Sequence, residues 1–392
     1  MSARLDPQLL NELKKYGTVN VEKCFNCGNC TAICPLSANG ETFPRRLIRY
    51  AQLGLKKPLL ASKELWLCYA CGECTQTCPR QADPGEFMAA ARRYAIANYD
   101  PLGLARLLLA SPPALGVFLL VVLYFLIALV FYTFHGIMPT DVLRLFDFLP
   151  SPVIHNLGVA ALVILGITGL AGAINMFLQV RRENTLLSAP GVRLNWLGAI
   201  WETIIFEILG QRRYRQDCKT ITDRRPWFIQ KWFIHAATMW GFLGLFAATV
   251  SDYGLELLGL KPTGTWVPLW YPIRLLGTAA GLFLIYGSTL AIVNRLRKAD
   301  ETTSHSSVAD WALLALLWLT GVSGFVLEIA VYLPHPEIWA YWTLLGHVAG
   351  AVELLLLAPF TKFAHVLYRT IAVFIHLLKP LPVTEKAAAG TD

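Results

Sequence analysis

Eight of the nine cysteines fall within residues 24–78, and they repeat one spacing twice. The first run, CFNCGNCTAICP, places Cys24, Cys27, Cys30 and Cys34 ahead of Pro35; the second, CYACGECTQTCP, places Cys68, Cys71, Cys74 and Cys78 ahead of Pro79. This is the C-x2-C-x2-C-x3-C-P pattern of bacterial ferredoxins. Three close thiolates hold three corners of one 4Fe–4S cubane, and the fourth reaches the other cluster. The expected ligand sets are Cys24, Cys27, Cys30 with Cys78, and Cys68, Cys71, Cys74 with Cys34. Gly28 and Gly72 leave room for backbone amides to approach the sulfides. A zinc site uses four ligands in two pairs and has no need of the third close cysteine and the proline. Disulfides do not suit a reducing compartment. Cys218, alone in a basic loop, reads as a free thiol.

Histidines are the second group able to do chemistry. His347 and His365 are eighteen residues apart in one apolar stretch. If that stretch is a single helix, eighteen residues make five whole turns, and both rings leave one face about 27 Å apart along the axis. This arrangement suits two haems stacked across a membrane, and neutral imidazoles are ordinary axial ligands of a b-type haem. His235 lies at a depth able to oppose His365. Gly241 and Gly244 follow it, and Gly346 and Gly350 flank His347, small residues where a porphyrin could approach. The outer haem lacks an obvious second ligand; His155 is the preferred substitute, with His135 at the interface. His305, His335 and His376 read as surface residues. Lys362 and Arg369 are candidates to pair with haem propionates. Lys362, Glu328, Asp252 and Glu353 are candidates for a quinone site, although charged residues near span ends commonly snorkel to the interface.

These groups need elements to hold them. The chain is 55% hydrophobic and 15% charged, with a mean hydropathy of +0.48, whereas soluble domains carry roughly 25% charged residues. Residues 1–110 hold 23 of the 60 Asp, Glu, Lys and Arg residues, so a polar front end precedes an apolar body. Six stretches are long enough to cross a bilayer: 113–137, 153–180, 227–250, 272–294, 308–332 and 338–368. Ten Lys and Arg residues crowd residues 181–231, which by the positive-inside rule puts both termini in the cytoplasm of an inner-membrane protein. Trp266, Trp270, Tyr271, Trp339 and Trp342 suit interfacial belts. The first twenty residues lack the apolar core of a cleavable signal. The net charge of +8 is met by basic loops facing lipid and calls for no nucleic acid.

The thirty-three residues between Cys34 and Cys68 carry a helical pattern, with Leu47, Ile48, Ala51 and Leu55 on one side. The expected fold is therefore all-α: a helical two-cluster ferredoxin domain over 1–110, a six-helix transmembrane cytochrome b bundle over 111–372, and a cytoplasmic tail over 373–392, of which 384–392 is of low complexity.

The front end, CFNCGNCTAICPLS through LCYACGECTQTCP, resembles the C subunit of heterodisulfide reductase. The membrane part resembles cytochromes b of the nitrate reductase gamma type, whose last span carries two haem-ligating histidines eighteen residues apart. Fused in this order, the two resemble the C subunits of quinone-interacting membrane-bound oxidoreductases. That resemblance implies electron exchange between menaquinone and flavin-containing A and B partners similar to heterodisulfide reductase A, and through them with adenylylsulfate (APS) reductase. It departs in one respect: the family's third-span partner histidines lie ten residues apart, and only His235 is present here. A membrane heterodisulfide reductase is the alternative, although no Cys-Cys dipeptide occurs. A haem-free anchor for a ferredoxin and an ion pump are the readings from other classes.

Overall fold

The computed structural model describes residues 5–37, 42–184, 187, 192–217, 225–265, 267–299, 306–333 and 337–381. Cys218, Trp266, His305, His335 and the 384–392 stretch lie outside them. Among the described residues the chain is helical, and its one extended pairing is a single bridge between Leu194 and Pro380.

The front end comprises α1 (Leu9–Lys14), α2 (Asn29–Ala32), α3 (Arg45–Gln52), α4 (Lys56–Ala61), α5 (Glu64–Leu67), α6 (Glu73–Gln76), α7 (Pro84–Tyr99) and α8 (Leu104–Ala110). The expected α3 stripe is buried through Leu47, Ile48 and Ala51. α7 begins where Asp83 accepts from the Glu86 amide and Pro84 follows it. A proline is well placed there, because the first helical amides have no intrahelical partner.

Six helices are long and apolar enough to cross a membrane. They are α9 (Pro112–Phe134), α11 (Ser151–Glu183), α14 (Lys231–Leu257), α15 (Pro272–Leu296), α16 (Val308–Ala330) and the helix α17 (Ile338–Leu357) extended to Phe360. Short helices α10 (Leu145–Phe148), α12 (Trp196–Trp201) and α13 (Arg212–Asp217) lie between them. Trp270, Trp339 and Trp342 are exposed at span ends, where their amphipathic rings meet both lipid and water. Between α12 and α13, residues Glu202–Leu209 form a π-helix. Its turn is held by Arg212, which donates to Glu202 and Glu207, while Leu197 and Trp201 remain exposed.

The expected sixth span, 338–368, is not one helix. α17 stops at Leu357, Ala358–Phe360 is a 3-10 turn, Thr361 is extended, Lys362–Ala364 is a second 3-10 turn, and α18 (His365–Leu377) starts afresh. Pro359 explains the break: it lacks an amide donor and its ring collides with the preceding turn. His347 and His365 therefore stand on different helices, and five continuous turns do not relate them.

The expected tail at 373 is also corrected. Val373, Ile375, Leu377 and Leu378 are buried. They belong to one apolar core that joins front-end residues such as Leu47, Trp66, Tyr94 and Leu108 to Leu115, Met176, Ala309, Phe360 and Tyr368 of the membrane part. Polar contacts seal the same seam. Arg93 donates to the Tyr16 carbonyl and to Ser307, and it lies 3.9 Å from Asp310. Asp310 caps α16 in a reciprocal box with Ser307 and pairs with Lys362.

Candidate metal centres

The two cysteine loops are built alike. Asn26 and Ala70 take positive φ values of 58° and 54°, and Gly28 and Gly72 follow at 90° and 91°. The glycines open the short helices α2 and α6, and only glycine adopts that conformation without strain. The loops point amides at sulfur: Asn26 donates to Cys24 Sγ, Ala70 to Cys68 Sγ and Ala82 to Cys78 Sγ, each at 3.4 Å. None of the eight cysteines is joined in a disulfide.

α2 and α6 pack together, and Asn29 reaches across to the Thr77 carbonyl at 2.5 Å. This contact interleaves the motifs. Cys30 lies within electrostatic reach of Cys24, Cys27 and Cys78. Cys74 lies within reach of Cys68, Cys71, Cys30 and Cys34. Burial, then the neighbouring thiols, push the Cys30, Cys71 and Cys74 thiols up, which an iron cluster binding thiolate would offset. Among the described residues no three His, Cys, Asp or Glu side chains close on a point as one metal ion requires.

The surroundings of the two loops differ. At the first, Arg45 donates to the Asn26 carbonyl at 3.4 Å, Gln52 donates to the Cys24 carbonyl at 3.1 Å, and Arg80 covers Phe25 at 4.0 Å. At the second, Arg92 donates to the carbonyls of Leu65 and Cys68. Arg369 of α18 donates to Trp66 at 2.7 Å and to Cys68 at 3.2 Å, and it covers the Tyr69 ring at 4.1 Å. Arg369 is thus committed to the front end, not to a propionate.

His235 and His365 come within electrostatic range of each other. The His365 Nδ1 donates to the Lys362 carbonyl at 2.7 Å, so its Nε2 carries the free lone pair that iron ligation requires. His235 is exposed although Ile234, Ala236 and Ala237 beside it are buried, and Tyr214 lies against its ring at 5.3 Å. Lys362 pairs with Asp310 and so holds its carbonyl, and thereby His365, in place.

His347 and His155 are not brought together. The His347 Nδ1 meets Ser323 Oγ at 2.9 Å on α16. His155 stacks near Tyr253 at 4.5 Å and lies 3.4 Å from Glu256, both at the end of α14. His135 contacts the Phe131 carbonyl and ring and is exposed. His376 is half-buried rather than a surface residue. Burial, with Arg213, Lys63 and Lys379 nearby, pushes its imidazole down to about 4.

Gly241 and Gly244 serve packing, not a porphyrin. A Cβ on Gly241 would meet the Leu284 amide at 2.4 Å, and one on Gly244 would meet Ala280 Cβ at 2.7 Å. They let α14 and α15 close on each other, the usual use of small residues between spans. Gly346 does face open space, while Gly350 sits 3.7 Å from Thr320. Of the quinone-site candidates, Glu328 pairs with Arg274 at 2.9 Å, Asp252 with Lys261 at 2.7 Å and Lys362 with Asp310. Glu353 is 1% exposed, and neither of its carboxylate oxygens has a hydrogen-bond partner.

Tyr214, Arg92, Ser323 and Glu256 escaped the sequence reading. None stands in a motif, and each gains its place only from a distant helix. Tyr69 carried one signal, an aromatic at the repeat position that Phe25 occupies in the first run.

The 4Fe–4S dicluster domain family matches residues 20–82. The C subunit of an H2:CoB-CoM heterodisulfide,ferredoxin reductase from Methanothermobacter thermautotrophicus is 33% identical over 63 residues, 16% of this chain and 34% of that protein. A protein from Archaeoglobus profundus, itself described as similar to the C subunit of heterodisulfide reductase, is 38% identical over 96 residues, 24% of this chain and 51% of its own length. The E subunit of a dihydromethanophenazine:CoB–CoM heterodisulfide reductase from Methanosarcina barkeri is 24% identical over 178 residues, 43% of this chain and 64% of that protein. The chain thus spans about a third of the first of these relatives and less than two thirds of the last. No solved structure matches. Residues 20–82 thus match a 4Fe–4S dicluster domain similar to part of the C subunit of heterodisulfide reductase, and the same chain carries six helices long and apolar enough to cross a membrane.

Proposed function

We propose that the chain passes electrons between a membrane quinone and soluble partners, through one b-type haem held by His235 and His365 and two 4Fe–4S clusters. The carrying observation is that His365 Nδ1 is tied to the Lys362 carbonyl, which leaves its Nε2 available, while His235 is linked through Tyr214 to Tyr69 of the second cysteine motif. The proposed cluster ligands are Cys24, Cys27, Cys30 and Cys78 for one, and Cys68, Cys71, Cys74 and Cys34 for the other, in keeping with the thiol neighbours of Cys30 and Cys74. Bound haem and clusters supply one-electron stations. The chain's own work is to hold imidazole and thiolate ligands, exclude water and fix distances.

A second haem on His347 and His155 is not proposed, because those rings face different helices. Menaquinol is the proposed two-electron donor, by analogy with the relative named for dihydromethanophenazine. Glu353 is the proposed group nearest in character to a quinol-proton acceptor, since its buried oxygens have no hydrogen-bond partner. Flavin-bearing A and B partners, with APS reductase beyond them, are the proposed soluble side; the front end and both terminal segments then face the cytoplasm. The test is anaerobic mixing of the purified full-length protein with a water-soluble menaquinol analogue. A haem b absorption band that appears on mixing supports the reading. Protein whose clusters and absorbance stay oxidised under the analogue, yet respond to dithionite, refutes the quinol link.

A further inference from the structure

The second cysteine motif is tied to the membrane histidines from two sides. Arg369 lies one turn beyond His365 on α18, about 6 Å along the axis, so both side chains leave a similar face. Its guanidinium donates to the Trp66 and Cys68 carbonyls and covers Tyr69. Tyr69 stacks on Tyr214 at 5.2 Å and 27°, and Tyr214 meets His235 at 5.3 Å. Each histidine is therefore joined to the Cys68–Tyr69 step through one side chain, His365 through Arg369 and His235 through Tyr214. The corresponding step of the first motif, Cys24–Phe25, faces the other way: Phe25 is 70% exposed, Cys27 is exposed, and Arg80 borders them.

We infer that Arg369 and Tyr214 dock the second motif onto the His235–His365 pair, so that Cys68, Cys71 and Cys74 hold the membrane-side redox station and Cys24, Cys27 and Cys30 the partner-side one. The inference rests on the haem reading above. A haem held by His235 and His365 and a cluster held by Cys68, Cys71 and Cys74 would each supply a one-electron station, so that one electron lost by either would be gained by the other with no bond made or broken. Arg369 is a positioning residue with an electrostatic signature. Its positive charge favours the reduced, more negative state both of a cluster beside Cys68 and of a haem beside His365.

The test is a potentiometric titration of full-length protein in detergent, reading clusters by EPR and haem by absorbance. Cys71→Ser and Cys27→Ser identify the signal that belongs to each motif. Arg369→Gln is expected to lower the midpoint of the signal that Cys71→Ser alters, and that of the haem, while leaving the other cluster in place. Arg369→Lys keeps the charge and is expected to hold both midpoints near the wild type. Arg45→Gln, beside Asn26, is expected to move only the first-motif signal. A shift of the first-motif signal in Arg369→Gln, or of neither cluster, overturns the assignment. Wild-type protein without a haem band refutes the underlying reading instead, and the absorbance trace distinguishes that failure from the other.

Discussion

Phe25 and Tyr69 occupy the same step of two loops whose backbones agree residue by residue, through Asn26 and Ala70 to Gly28 and Gly72. One ring is 70% exposed under Arg80; the other lies between Arg369 and Tyr214. A repeated motif thus specifies what can be bound, twice, and leaves direction unspecified. Direction comes from the helix packed against one copy. α18 exists as a separate element because Pro359 ends α17, and its new phase carries Arg369 to the Cys68 carbonyl.

The comparison can be broken most severely through Cys78. If the fourth cysteine of each run crosses to the other cluster, Cys78→Ser alters the same EPR signal as Cys27→Ser and leaves the Cys71→Ser signal intact. Loss of the second-motif signal instead would return each run to a cluster of its own.

Next in size is the seam. Asp310 is 5% exposed and faces Lys362 and Arg93. Removing one partner of a buried ion pair leaves uncompensated charge and costs about 3 kcal/mol. Asp310→Ala is expected to lower the thermal midpoint in detergent and to disturb the second-motif EPR signal more than the first. Equal disturbance of both signals would mean that the seam does not single out one motif.

The smallest effect concerns pH. The His376 imidazole is held down to about 4, against about 6.5 in an unfolded chain. Between those values the unfolded chain binds a proton that the folded chain does not, so stability falls as pH falls through this window. Melting at about pH 7 and about pH 5 is expected to show a drop for wild type that shrinks in His376→Gln. An unchanged drop would remove His376 from the seam.

Much of this was legible in the residues. The cysteine spacing led directly to two loops and a dicluster domain, and hydropathy led to six spans, whose ends agree within four residues except that the third runs on to Leu257 and the sixth stops at Phe360. The α3 stripe was visible at Leu47, Ile48 and Ala51. Where the structure departs from the expected single sixth span, a residue interrupts the apolar period. Pro359 sits between His347 and His365, and its weight against a single helix exceeds that of the apolar run around it. Gly241 and Gly244 illustrate a second limit, because a small residue signals close approach without saying whether a cofactor or the backbone of α15 comes close. Arg369, read as a propionate partner, shows a third, since its partners lie some three hundred positions away in the chain.

The central claim is that His235 and His365 together hold a haem beneath the second cysteine motif. The most direct measurement is haem per polypeptide by pyridine haemochrome in detergent-purified protein, for wild type and for His235→Ala, His365→Ala, His347→Ala and His155→Ala. The account predicts one haem in wild type, lost in His235→Ala and in His365→Ala, retained in His347→Ala and His155→Ala, with cluster iron unchanged throughout. Haem that survives both His235→Ala and His365→Ala, or wild-type protein with clusters and no haem, would contradict it.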